Sequence, residues 1–164
     1  MDTESQAYVD RMQLCTFKVA GRTYAVNVLD VREINLGLPL TPIPHTDPSV
    51  RGLVNIRGQV FLILDLWYPA HGTRAVVGPS SRLVLFKESV GHATGVLVDQ
   101  VGDIISVNSD RLLSGRGGDS DGDAESGLPT LGVVKFETDL VVVLDPTRII
   151  GLPKKTAPAT RAVS

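Results

Sequence analysis

VRGLVNIRGQVFLILDLW, residues 50–67, is the stretch whose reading decides how this chain folds. Arg57-Gly58-Gln59 lies between two apolar runs, and glycine accepts the positive φ that a tight reversal requires, so the stretch predicts a β-hairpin. Its second arm, residues 60–66, is made almost wholly of Val, Phe, Leu and Ile, as expected of a strand covered on both faces. Against that background Asn55 and Arg57 stand out as strongly polar side chains before Asp65.

Upstream of the hairpin, residues 14–20 and 23–28 alternate loosely around Gly21-Arg22 and predict a first hairpin. Residues 37–44 carry prolines among apolar residues, so they form an edge or a crossing rather than a central strand. Asp47-Pro48-Ser49-Val50-Arg51-Gly52 has the grammar of a single helical turn, with Asp as N-cap and Pro at the first position. Residues 68–81 read as a connector. Beyond it the pattern returns. GRTYAVNVLDVREI from Gly21 lines up without gaps on GHATGVLVDQVGDI from Gly91, a spacing of 70. Phe17-Lys18 recurs as Phe86-Lys87, and the run ending at Asp65 recurs as the run ending at Asp145, a spacing of 80.

Two copies of one β-rich unit are therefore expected, at about 14–67 and 82–150, with the possibility that the copies exchange strands. Each is near the lower size limit for independent stability, so they should bury aliphatic surface against each other. Short strands with turn signals and almost no helical period predict an all-β fold of two small antiparallel barrels packed together. Residues 1–13 read as a flexible N-terminal segment, 14–151 as the folded body and 152–164 as a disordered tail. Residues 114–130, rich in Gly and acids, read as a mobile insertion.

Hydrophobic residues make up 43% of the chain, enough for a core, and a net charge of −2 with scattered Lys and Arg argues against nucleic acid as a partner. The single cysteine, Cys15, cannot form an internal disulfide, and neither a signal-type start nor an apolar run near the roughly 20 residues of a membrane span is present. A cytoplasmic protein without membrane insertion is the expectation.

Little here suggests catalysis. His45, His71 and His92 have no partner at metal-ligand spacing, and no Ser sits in a GxSxG elbow. Asp119, Asp121 and Asp123 begin like a calcium loop, but Ala124 and Thr130 occupy the positions that need Gly and Glu. Asp65 and Asp145 end apolar strands and read as caps. No cofactor and no enzymatic activity are expected.

The duplication singles out one turn. Asn55, Arg57 and Gly58 align with Lys135, Glu137 and Thr138, so Asn-Ile-Arg-Gly belongs to the first copy alone. Arg57 is then either a solvated turn residue or part of a site. GLVNIRGQVFLILDLW, preceded by VREI at 31–34 and followed by GVLVDQVGDI at 95–104, resembles the CheW-like coupling proteins of bacterial chemosensory systems. The resemblance spans residues 14–150. It implies two five-stranded barrels on a shared apolar interface and a scaffold without catalysis that joins the cytoplasmic tips of chemoreceptors to a CheA-type histidine kinase. By the same resemblance, Val31, Glu33, Gly52, Asn55, Arg57 and Gly58 are the receptor-binding candidates, and the kinase's regulatory domain is met by the other barrel, at an apolar edge around Ala93, Thr94, Gly95 and Val96.

A receptor tip is a helical hairpin, for which Val31, Ile34 and Val54 offer aliphatic contacts, with Glu33 and Arg57 expected to pair across adjacent strands. The rival readings are a CheW-like module serving pili or development rather than taxis, and a small hydrolase or ligand-binding barrel with a pocket between its halves.

Overall fold

The structure is a computed structural model describing residues 11–36, 39–114 and 127–155. Eleven strands are placed among them: β1 (Arg11–Val19), β2 (Arg22–Asn27), β3 (Val31–Leu36), β4 (Val50–Ile56), β5 (Gln59–Asp65), β6 (Arg82–Phe86), β7 (Thr94–Val98), β8 (Gln100–Asn108), β9 (Leu113–Ser114), β10 (Thr130–Phe136) and β11 (Asp139–Leu144). Two one-turn helices, α1 (Trp67–His71) and α2 (Pro146–Ile150), follow β5 and β11. The strands form a terminal sheet, ordered β8-β1-β2-β11-β10-β9, and a central sheet, ordered β3-β6-β7-β5-β4.

The two sequence copies are not the two sheets. The first copy gives β1 and β2 to the terminal sheet and β3, β4 and β5 to the central one, while the second gives β6 and β7 to the central sheet and β8 to β11 to the terminal one. The short β9 aside, both sheets repeat one order. The register repeats too: Leu62 faces Thr94 and Ile63 faces Gly95 in the central sheet, where Val142 faces Tyr24 and Val143 faces Ala25 in the terminal one. These are the spacings of 80 and 70 seen in the sequence. Strands are thus exchanged between copies, and they meet along a parallel pair, β2 with β11 and β7 with β5. The expected antiparallel barrels are therefore mixed sheets, because a strand returning from the other copy arrives in the opposite sense.

Strand exchange explains the unbroken apolar runs. In β5, Ile63 enters the interior of the central sheet while Leu64 enters the seam between the sheets. β11 does the same, with Val141 and Val143 in the terminal interior and Val142 and Leu144 in the seam. Among the described residues the seam cluster holds 17 buried side chains, against 8 and 7 in the two interiors, so neither sheet could keep its apolar surface dry alone. Polar groups stitch the same junction: Asp99, in the passage from β7 to β8, accepts from the Ala20 amide at 2.8 Å and from Trp67 Nε1 at 2.9 Å.

Four local expectations are corrected. Residues 11–13 are paired strand, with Arg11, Met12 and Gln13 opposite Asn108, Val107 and Ser106, since the long edge strand β8 offers them a ladder. Asp47–Val50 is a β-turn closed by Val50 N–H to the Asp47 carbonyl at 2.8 Å, and Gly52, read as a helix exit, lies inside β4. After α2 the chain continues as a 3-10 turn, Leu152–Lys155. The expectations for residues 1–10, for 115–126 of the insertion read at 114–130 and for the tail from 156 fall outside the described residues, whereas the ends of that insertion belong to the fold rather than to a mobile loop: Ser114 lies in β9, Leu128 is fully buried in the seam and Thr130 opens β10.

Candidate functional site

The β4–β5 turn is built by its sequence. Arg57 at φ +52° and Gly58 at φ +85° form a two-residue loop with both central residues left-handed, the turn whose twist matches a hairpin. Asn55 holds it closed, its Oδ1 accepting from the Gly58 amide at 2.9 Å. In the second copy Glu137 keeps the positive φ, +58°, but Thr138 does not join it, because a β-branched residue resists that region. The backbone reversal is thus shared in part, and the Asn, Arg and Gly side chains are what the first copy adds.

Glu33 meets this turn from β3. Its Oε1 accepts from Arg57 Nη2, and its Oε2 from Asn35 Nδ2 at 3.0 Å. The pair does not cross adjacent strands as expected. β3 and β4 stand at opposite ends of the central sheet's order, so Glu33 and Arg57 close the mouth of the curled sheet with side chains where no backbone ladder runs among the described residues. Arg57 is 71% exposed, so the pair adds only about 0 to 1 kcal/mol to stability, and its effect is geometric.

Around that pair the other candidates divide. Val31 is half-buried and packs on the seam, and Ile34 and Leu36 are exposed on β3. Val60, beside the turn, is exposed as well. Val54 is withdrawn as a groove residue: it is 5% exposed and faces the sheet's interior. Gly52 acts through its backbone. At φ +143° a Cβ there would lie 2.4 Å from the Thr41 carbonyl oxygen, which accepts from the Leu53 amide in the bridge that carries the 39–49 crossing past β4.

The apolar edge assigned to Ala93, Thr94, Gly95 and Val96 is also corrected. β7 is the middle strand of the central sheet, Thr94, Gly95 and Val96 are buried, and a Cβ on Gly95 would sit 2.7 Å from the Val84 carbonyl oxygen. These residues share a sheet with Arg57 rather than occupying the other one. A short β-branched run with glycine reads alike at an edge and at a centre, and only pairing separates them.

Sequence reasoning missed Arg32 and Gln59. Arg32 Nη1 donates to Gln59 Oε1 at 2.8 Å beside the Glu33–Arg57 pair. No motif marks them, since their meeting depends on an irregularity in β3 that periodicity does not register. It also missed the support under β4: fully buried Asp65 accepts from Arg51 at 3.1 Å, the Ala75 amide at 2.9 Å and the Trp67 amide at 2.8 Å. Its expected capping role is one part of that set, whereas Asp145 caps α2 through the Thr147 amide.

Among the described residues no His, Cys, Asp and Glu group is arranged to hold a metal ion. Burial raises the Cys15 thiol pKa, keeping it protonated. A cleft of about 340 Å³ lies beside Arg11, Met12, Asn27, Leu29 and Ser106. Among the described residues no helix is long and apolar enough to cross a membrane.

Comparison with known proteins agrees with this architecture. A protein-family model described as CheW-like domain matches residues 13–154. A chemotaxis protein CheW from Rhizobium meliloti (strain 1021) is 35% identical over 99 residues, covering 60% of this chain and 63% of that protein, so the chain spans somewhat under two thirds of that relative's length. One from Bacillus subtilis (strain 168) is 25% identical over 141 residues, covering 84% and 86%. Among solved structures, the scaffolding protein TtCheW from Thermoanaerobacter tengcongensis superposes with a TM-score of 0.69 at 19% identity, over 81% of this chain and 83% of that one.

Proposed function

The chain belongs to the CheW-like domain family, and from that premise we propose that it is a non-enzymatic adaptor of a bacterial chemosensory system. It holds the cytoplasmic tip of a chemoreceptor and the regulatory domain of a CheA-type histidine kinase together, and works in the cytoplasm at receptor clusters. The observation that carries this reading is the side-chain closure of the central sheet by Glu33 and Arg57, on a turn shaped by Asn55 and Gly58.

A receptor tip is a helical hairpin, and a hairpin docks by laying an apolar stripe against aliphatic side chains while polar groups fix its register. Ile34, Leu36 and Val60 are exposed around the mouth, and Arg57 remains exposed enough to donate further hydrogen bonds. Gly52 contributes by letting the 39–49 crossing pass close to β4. The kinase meets the terminal sheet, where Ile104 and Leu140 are exposed. They stand at the positions of Ile34 and Val60 in the other copy.

The test is a three-way pull-down. The full chain is immobilised and offered a receptor tip and a kinase's CheW-like regulatory domain, separately and together. The proposal requires each to be retained alone and both to be retained at once. Retention of neither, or mutual exclusion of the two, ends it.

A further inference from the structure

We infer that Arg32 is a second positioning residue at the mouth of the central sheet, latching β3 to the β4–β5 hairpin through Gln59. Regular alternation along a strand would send Arg32 and Glu33 to opposite faces. Both reach the same hairpin because the pairing of β3 with β6 slips between Val31 and Glu33, which leaves Arg32 as the extra residue of a bulge. A bulge re-aims a side chain in this way. Arg32 Nη1 donates to Gln59 Oε1 at 2.8 Å, and its guanidinium carbon stands 5.6 Å from the centroid of the Phe61 ring. Phe61 is 1% exposed and belongs to the sheet's interior cluster, so the guanidinium lies as a cover over the apolar interior where the sheet closes.

The terminal sheet supplies the comparison within the same molecule. Its β1–β8 pairing slips at the equivalent place, between Cys15 and Phe17, but the residue at the position of Arg32 is Gly102 and that at Gln59 is Asp139. Asp103 and Glu137, standing where Glu33 and Arg57 do, are both acidic. The bulge therefore belongs to the repeated fold, while the latch belongs to one copy of it. β3 is laddered to β6 along one side, and on its other side the Glu33 contact alone ties it to the hairpin at a single point. A second contact from the adjacent residue fixes its direction, and with it the direction in which Ile34 and Leu36 project. The functional half of this holds only if the central-sheet mouth is the receptor site proposed above.

The test uses the full chain with Arg32→Ala, Gln59→Ala and the exchanged pair Arg32→Gln with Gln59→Arg, which restores the bond with its partners reversed. Amide hydrogen exchange is followed at residues 31–36 and 55–60, with 101–108 as the internal reference, and affinity for a receptor tip is measured in parallel. Each single variant is expected to speed exchange in the first two segments about fivefold, the factor that one net hydrogen bond is worth. It should leave the reference unchanged and weaken tip binding by a similar factor, and the exchanged pair should recover both. Unchanged exchange in the single variants, or an exchanged pair as loose as they are, overturns the latch. Faster exchange with undiminished affinity overturns its positioning role. A wild-type chain that ignores the tip removes the proposed function, and the exchange measurement still decides the latch.

Discussion

Replacing Asp65 by Asn tests how the hairpin is supported from beneath. The carboxylate is fully buried and uses both oxygens as acceptors: Oδ2 from Arg51 and the Ala75 amide, Oδ1 from the Trp67 amide. An asparagine has one accepting oxygen. In its better orientation that oxygen serves Arg51 and Ala75, which turns the NH2 group against the Trp67 N–H and leaves a half-buried amide unpaired, at about 1–3 kcal/mol. Arg51 also loses its counter-charge. Breaking a buried pair costs about 3–5 kcal/mol, but Arg51 keeps 20% exposure and a 2.6 Å bond to the Ala75 carbonyl, which soften the loss. Taken together the variant should be about 3 kcal/mol less stable. For a chain of this size that lowers Tm by roughly 10 °C, followed by calorimetry or circular dichroism. Asp145→Asn is the control built into the repeat. That carboxylate is 23% exposed and caps α2, and Asn is as good a cap, so a change of about 0.5 kcal/mol or less is expected. If the two variants melt within a degree of each other, the buried network is not what supports β4.

Gly52→Ala should cost more than about 2 kcal/mol, since its Cβ meets backbone at Thr41, whereas Gly58→Ala, whose Cβ meets open space, should cost about 1 kcal/mol for its positive φ; denaturant midpoints at constant m compare them. Burial, with the Asp145 carboxylate adding to it and Lys87 opposing, holds the Asp30 carboxyl above its ordinary value. Its folded pKa therefore exceeds its unfolded one, so stability is gained as pH falls through the folded value. Asp30→Asn should raise Tm at neutral pH, with the advantage fading as pH drops to the ordinary carboxylate range; an advantage that grows on acidification contradicts this. Cys15, buried and with its thiol pKa raised, should react with a thiol reagent such as DTNB only when the chain is unfolded, and rapid labelling of the native protein would contradict its placement.

The all-β fold, the duplication and its spacings were legible because aliphatic runs and turn residues repeat in the chain, and the register of both sheets follows those spacings. Which strands share a sheet was not fixed by the same pattern, since β5 and β11 look alike whichever copy they pair with. Hence the parallel joints at β2–β11 and β5–β7 came only with the structure. At the site, Asn55, Arg57, Gly58 and Glu33 were readable from the turn's chemistry and the family resemblance. The placement of Ala93 to Val96 at an edge failed because apolarity says a strand is covered, not by what. Arg32 and Gln59 were invisible, because alternation predicts that neighbours on a strand diverge and a bulge is what brings them together. Val54 was misread for the complementary reason: nothing in a single strand's sequence says which of its faces is the interior.

The most direct measurement is the affinity of a receptor tip for the wild-type chain, for Arg57→Ala and for Glu137→Ala, the same turn position in the other copy, with a melt recorded for each. The account predicts at least tenfold weaker binding for Arg57→Ala, wild-type binding for Glu137→Ala, and melts within a few degrees of one another. Equal binding by all three would contradict it.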